Sequence, residues 1–409
     1  MNILLEGVRV LDLTRLLPGP HATQLLAQLG AEVIKIEDPD GGDYTRSLSP
    51  SLFEQVNRGK ASITLDLRKA DDVAAFKELV ADADVVVESF RPGVMQRLGC
   101  DYATLKAINP KLVYAALTGY GQTGPLRDAA GHDLNYLSLA GVLDQMGSAG
   151  GPPAMSNVQI ADLAGGALTC TIGIQAAVLG ARASGEGTFV DSSMLDGSLA
   201  LQSVAMGTRA SLGKSQPRGE DILTGALPNY RTYKCRDGRY LAVGALEPKF
   251  FQRLLTALVP FGGPGGSGGK SGDGKSAKTS KKTGGDTKTQ ATAGEKKSND
   301  WSARLSAALE DPRKARVLTK PMHWGLAAVF RTRPRDVWAD RLADADACIT
   351  PVLTLEEALA HPQNIARGMQ QGDALGCPLQ FADAKREPLS ASPALGADNE
   401  RVLKRRRAG

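Results

Sequence analysis

Cysteine and histidine are scarce in this 409-residue chain, and aromatic residues make up only 5% of it. The five cysteines (Cys100, Cys170, Cys235, Cys348 and Cys377) are widely spaced and form no CxxC pair. That excludes a disulfide framework and thiolate metal knots, and it reads as scattered reduced thiols. The four histidines show no HExxH spacing, so no metal is expected. The N-terminus, MNILLEGVRVLDLT, has no basic segment, so no secretory signal is read there and a cytoplasmic location is the expectation. One long uncharged run exists, LAGGALTCTIGIQAAVLGA over 163–181, but its four glycines, two threonines and a glutamine suit a packed core helix better than a bilayer span. No membrane partner is expected.

A strong charge of one sign is also missing from the body of the chain. The formal net charge is +5, yet residues 261–300 hold eight lysines against four acidic residues, and the last nine residues, RVLKRRRAG, add five more positive charges. The remainder is mildly acidic. The basic balance therefore belongs to two appendages, and no nucleic-acid partner is expected.

With 42% hydrophobic and 23% charged residues, the chain is an ordinary globular one, long enough for a large core. In its first 120 residues short β-rich runs alternate with helical ones. Strands are expected over 8–13, 31–36, 62–66, 83–88 and 112–117, and helices over 18–29, 70–81, 93–98 and 102–108. Long helices are expected over 133–146 and 161–182, a strand and then a helix from Leu195, a hairpin over 229–244 turning at 236–238, and a helix over 247–258. The pattern predicts an α/β fold: a Rossmann-like parallel sheet in a large domain, with a smaller α+β domain beside it. The large domain is read as 1–194 with 349–409, the small one as 228–330, and 195–227 and 331–348 as linkers.

Residues 262–299 are dominated by Gly, Lys, Ser and Thr, and too polar to offset the entropy of ordering, so a disordered insert is expected, with helix resuming at Trp301. GKSGDGKS over 269–276 matches a phosphate-loop string, but it neither follows a strand nor opens a helix, which is what gives that motif its meaning.

Three residues stand out as chemistry. His132, in PLRDAAGHDLNY, sits at an expected helix start, where developing negative charge is favoured. Asp162 is the lone carboxylate heading an otherwise uncharged helix, with Gly165 and Gly166 one turn on that would let another chain or a ligand approach closely. Glu247 follows an apolar strand and precedes Pro248. Taken singly, each is equally at home as a helix cap or first-turn residue.

Together with GVRVLDLTRLLPGPHATQLLAQLGAEVIKIEDPDGGD, NRGKASITLDL, VVVESFRPGVMQRLG, GYGQTGP, AGHDLNYLSLAGVL, QIADLAGGAL, ALEPKFF and TPVLTLEEALAHPQNIARGM, these residues resemble the family III CoA-transferase superfamily, and within it the α-methylacyl-CoA racemases. The resemblance covers nearly everything except the insert. It implies that His132 and Asp162 are an acid/base pair inverting the α-carbon of a 2-methylacyl-CoA through an enolate, with Glu247 supporting the histidine. It implies that Lys35, Arg58, Lys60, Glu88, Arg91 and Gly131 surround the CoA moiety, with no cofactor beyond CoA itself. It also implies an interlocked homodimer. Transferases of the superfamily keep the aspartate as a nucleophile and generally lack the histidine, so transfer of CoA between carboxylic acids is the alternative. One departure is Val158, four residues before Asp162, where racemases often carry asparagine.

Overall fold

The computed structural model describes residues 4–258, 312–383 and 388–403. The 262–299 insert, the expected restart at Trp301 and the end of the basic tail lie outside them. The chain divides into two units, Met1–Gly219 with Leu353–Gly409, and Glu220–Val352.

The larger unit is built on six parallel strands: β1 Arg9–Asp12, β2 Glu32–Glu37, β3 Ala61–Thr64, β4 Val85–Glu88, β5 Val113–Thr118 and β6 Phe189–Ser193. Their order across the sheet is β3-β2-β1-β4-β5-β6, so the direction of winding reverses between β1 and β4. Both faces are covered, which is why the strands read as near-continuous apolar runs. Along β1, Val10 enters one core and Leu11 the other; along β4, Val85 and Val87 enter the first and Val86 the second. Val10 pairs with Val33 on one side and Val85 on the other. Ligands in such sheets bind at the carboxyl ends of the strands, near the reversal.

The expected helix over 133–146 is two short ones, Asp133–Leu139 and Val142–Gln145, because Gly141 takes a left-handed φ of 72°. The helix expected from 161 is present, but its first turns, Ala161–Leu168, are wound wide in the π manner before Thr169–Ser184 continues as an α-helix. Ala161–Ser184 is long and apolar enough to cross a bilayer by length and composition. One face of it, with Cys170, Ile174, Val178 and Ala181, packs into the core of the unit.

The smaller unit has the antiparallel strands β7 Tyr230–Lys234, β8 Tyr240–Gly244 and β9 Ile349–Pro351. The hairpin turns at Gly238, whose φ is 84°. Two expected linkers are corrected here. Residues 331–348 include a helix, Arg335–Leu342, whose fully buried Trp338 donates its indole N–H to Phe330 O at 2.9 Å. Strand β9 pairs Ile349 with Val243, so the return to the larger unit starts at 353 and not at 349. The helix expected from Leu195 is present as Met194–Ala200, followed by Ser203–Leu212, but residues up to Gly219 belong to the larger unit and the smaller one begins at Glu220, so 195–219 is not a linker.

Candidate active site

Above the carboxyl ends of β4 and β5 lies a cleft of about 760 Å³. His132 and Asp162, distant in sequence, both line it, with Tyr120 and Gly131 from the loop between strand end and helix start and Tyr136 from the helix itself. What joins the two is the residue next to the histidine. Asp133 Oδ1 accepts the backbone N–H of Ala161 at 2.7 Å and of Asp162 at 3.0 Å. One carboxylate thereby caps the start of the second helix and locks it to the first. His132 itself is extended and exposed, and its N–H donates to Asn135 Oδ1 at 3.0 Å.

Asp162 is half-buried in the wide π turn, a geometry that recurs at functional sites. Burial, helped by the neighbouring Asp133 carboxylate, pushes its own carboxyl up to about 7. It is thus poised to hold a proton near neutrality and to give it up.

Glycines shape the walls. A Cβ on Gly131 would lie 2.7 Å from the Tyr120 hydroxyl and 2.7 Å from Tyr136 Cε1. Those rings meet edge to face at 5.1 Å, and the Tyr136 hydroxyl donates to Gly131 O. The room beside Gly165 and Gly166, expected to admit another chain or a ligand, is instead filled by this chain's own helix Met194–Ala200. A Cβ on Gly165 would lie 2.8 Å from Ser198 N, and one on Gly197 would lie 1.9 Å from Gly165 O. This close crossing braces the segment that carries Asp162.

A second groove, of about 370 Å³, runs past the ends of β2 and β3 along 65–68. It shares Arg15, Tyr44 and Phe90 with the cleft. The Arg15 guanidinium lies over both rings, at 5.3 Å and 5.0 Å from their centroids. The sequence reading missed Arg15, Tyr44 and Asp133. The signal for the last was its place beside His132 at a helix start; Arg15 follows the first strand in TRLLPGP, at the kind of strand end where ligands bind.

Comparison with known proteins fits this layout. The profile of CoA-transferase family III matches residues 5–309 and 282–399. The chain belongs to CoA-transferase family III. It is 35% identical over 408 residues to an alpha-methylacyl-CoA racemase of Mus musculus, covering 98% of this chain and 93% of that one. It is 42% identical over 220 residues to an acetyl-CoA:oxalate CoA-transferase of Acetobacter aceti, covering 52% of this chain and 56% of that one. Among solved structures it is similar to a CAIB/BAIF family protein from Brucella suis, with a TM-score of 0.76, 29% identity, and coverage of 99% of this chain and 100% of that one.

For this family III chain, the residues expected around CoA fall into two groups. Arg91 is exposed and lines both the cleft and a side pocket of about 260 Å³. Glu88 lines that pocket, with burial pushing its carboxyl up to about 8 although Oε2 accepts the Phe90 N–H at 2.6 Å. Lys35 and Lys60 are corrections, because both ammonium groups are buried and spoken for. Lys35 Nζ donates to Thr14 O at 2.9 Å and pairs with Asp43 Oδ2 at 3.0 Å. Lys60 Nζ reaches Asp12 Oδ2 at 3.0 Å, Pro20 O at 2.9 Å, and Thr23 Oγ1 and Asn57 Oδ1 at 2.8 Å each. Neither has surface left with which to meet a phosphate. Arg58 is tied to Leu389 O at 2.7 Å and to Glu54, holding the C-terminal segment. Glu247 stands in the smaller unit, exposed, its carbonyl accepting from Phe250 N at 3.0 Å and Phe251 N at 3.2 Å at the head of helix Pro248–Leu258. Among the described residues no cluster of His, Cys, Asp or Glu could hold a metal ion.

Proposed function

We propose that this family III enzyme is a 2-methylacyl-CoA racemase. One observation carries the reading: an imidazole and a carboxylic acid, His132 and Asp162, line the same cleft, and the acid holds its proton up to about 7. The thioester acidifies the α-carbon. His132 takes the α-proton from one face, leaving an enolate whose negative charge rests on the thioester oxygen. Backbone N–H groups at the helix start after His132 are the nearby donors for that oxygen. Asp162 then gives its proton to the opposite face of the carbon. The product leaves with the imidazole protonated and the carboxylate ionised, and exchange with water resets both. Each group is expected to contribute on the order of 10²–10⁴-fold. The full-length likeness to a racemase supports this reading.

The CoA moiety is assigned to the two connected grooves, with Arg15 at their junction and Arg91 at the cleft mouth. Glu247 as a support for His132 rests on the resemblance. A homodimer is part of the proposal. Ile172, Leu179, Leu199, Leu201, Val204 and Met206 are large apolar side chains exposed on the larger unit, and this part rests on a second copy covering them.

The second reading is CoA transfer with Asp162 as nucleophile, supported by 42% identity to an oxalate CoA-transferase over half the chain. One experiment separates them: incubation with a 2-methylacyl-CoA in heavy water with no acceptor acid. Deuterium at Cα with inversion is the racemase result. No exchange, together with hydroxylamine-sensitive acylation of Asp162 when an acceptor is added, is the transferase result.

A further inference from the structure

Leu16 lines the cleft in a conformation that its side chain resists. Its φ is 67°, left-handed, and it is one of three non-glycine residues so placed among the described residues. A left-handed leucine persists only when its surroundings over-determine it. Here they do, from both sides of the loop that follows β1. Asp43 Oδ1 accepts the Leu16 N–H at 3.1 Å, and Lys35 Nζ donates to Thr14 O at 2.9 Å. The two clamping groups are joined to each other, Lys35 Nζ to Asp43 Oδ2 at 3.0 Å, with both side chains completely buried. The residue between them, Arg15, donates its own N–H to Ser89 Oγ and sends its guanidinium over Tyr44 and Phe90.

The other duties of Asp43 point the same way. Its Oδ1 also accepts Thr45 N at 3.0 Å and Thr45 Oγ1 at 2.8 Å, which fixes the turn that presents Tyr44. Tyr44 in turn receives a hydrogen bond from Arg15 Nη1 at 3.1 Å. The ion pair therefore holds a strained backbone, a cation and an aromatic wall in one arrangement, without touching the cleft itself.

We infer that Lys35 and Asp43 are positioning residues for acyl-CoA binding: their buried pair holds the Thr14–Leu16 backbone so that Arg15 and Leu16 form a preset wall of the cleft. The inference rests on the acyl-CoA reading of the site. It assigns to Lys35 a role through the backbone, where the resemblance had implied a place around the CoA moiety.

The test uses the full chain and two readouts: the dissociation constant for free CoA by calorimetry, and KM and kcat for α-proton exchange on a 2-methylacyl-CoA. Removing one partner alone would strand a buried charge, so the main variant is Lys35→Met with Asp43→Ala, which leaves none. The expected result is a roughly tenfold weaker CoA affinity and a similar rise in KM, with kcat within about threefold of the parent. A pair that merely stabilises the fold would lower active protein and melting temperature while leaving KM and CoA affinity unchanged, and that result overturns the inference.

Leu16→Gly supplies the second arm. Glycine takes the left-handed conformation without a clamp. In a Leu16→Gly background the same double substitution is expected to cost less than about threefold in CoA affinity; an undiminished cost overturns the coupling through backbone strain. If Lys35→Met with Asp43→Ala does not fold, Asp43→Asn is read in both backgrounds. It keeps an acceptor for Leu16 but turns a donor toward Lys35. It is expected to raise KM by about two- to fourfold, and by less in the Leu16→Gly background; equal KM values overturn the inference. If the unaltered protein binds no CoA at all, the acyl-CoA reading fails, and the inference with it. CoA binding that the substitutions leave untouched sinks the clamp alone.

Discussion

Two carboxylates of the larger unit, Asp12 and Asp162, are both withdrawn from water and end up at opposite extremes. Burial alone would raise Asp12, but Lys60 and Lys35 beside it, with hydroxyls from Thr14 and Thr23, hold it at about 2. Burial also raises Asp162, and there the one charged neighbour is another carboxylate, so it reaches about 7. The first region, under β1 to β3, is a dry polar network of matched charges. The second, at the ends of β4 and β5, leaves one acid unmatched in a cleft that an exposed imidazole also lines. The difference teaches that partners, more than burial, decide whether a buried acid braces a fold or keeps a proton to give.

The largest expected effect falls on the imidazole. His132→Ala should cut α-proton exchange by about 10²–10⁴-fold in an exchange assay, with CoA affinity nearly unchanged. A loss of CoA affinity of the same size would place His132 in binding and undo the contrast between the two regions.

The next effect is on the brace beneath Asp162. Gly197→Ala puts a methyl against Gly165 O at 1.9 Å, so the two helices must separate. A destabilisation of about 1–3 kcal/mol is expected in urea unfolding, with exchange reduced as Asp162 shifts.

pH sharpens the comparison further, because the signs are opposite. In the direction where His132 is the base and Asp162 the acid, the rate should fall as pH rises through about 7, since Asp162 must be protonated. In the reverse direction Asp162 must be ionised and the imidazole protonated, which is the same total proton count, so kcat/KM should follow the same pH profile in both directions, as a pH-independent epimer equilibrium requires. On stability, a carboxyl raised in the folded state stabilises fully below its unfolded value, and that contribution is lost as pH rises through about 7. Asp162→Asn should flatten that part of the stability–pH curve. A carboxyl depressed in the folded state does the reverse. The contribution of Asp12 is present above about 4 and lost as pH falls toward 2. Denaturant titrations across pH check both.

The smallest effect on activity belongs to Glu88, buried and raised to about 8 by desolvation. Glu88→Gln should leave exchange nearly unchanged at pH 7, and should change stability little in acid, where the parent carboxyl is neutral in both states. As pH rises from about 4.5 to about 8 the parent should lose stability, and the variant should not. A variant less stable than the parent at pH 7 would mean that Glu88 is held ionised by a partner, as Asp12 is.

Much of the fold was legible because its physics is local. Strands buried on both faces read as continuous apolar runs, and the helix expected over 18–29 is present as Pro18–Gln28. His132 and Asp162 were legible as chemistry because each sits at a helix start in an apolar setting. Long-range pairing stayed hidden. Nothing near Lys35 or Lys60 in sequence announces that Asp43 and Asp12 neutralise them, so nothing there corrected the resemblance, which placed both lysines around the CoA moiety. Gly141, which breaks the expected helix, sits in a run whose apolar periodicity continues past it. Trp338 looked like part of a linker because the core it fills comes from residues near 233 and 330. Gly165 read as an opening for a ligand or another chain, whereas its space is taken by Ser198.

The central claim is that an imidazole and a protonated carboxyl act on one carbon. Its most direct test is mass and stereochemical analysis of a single 2-methylacyl-CoA epimer after incubation in heavy water without any acceptor acid. The account predicts deuterium incorporated at Cα with accumulation of the opposite epimer, the inversion being lost in both His132→Ala and Asp162→Asn. An unlabelled, unchanged epimer recovered from active, CoA-binding protein would contradict it.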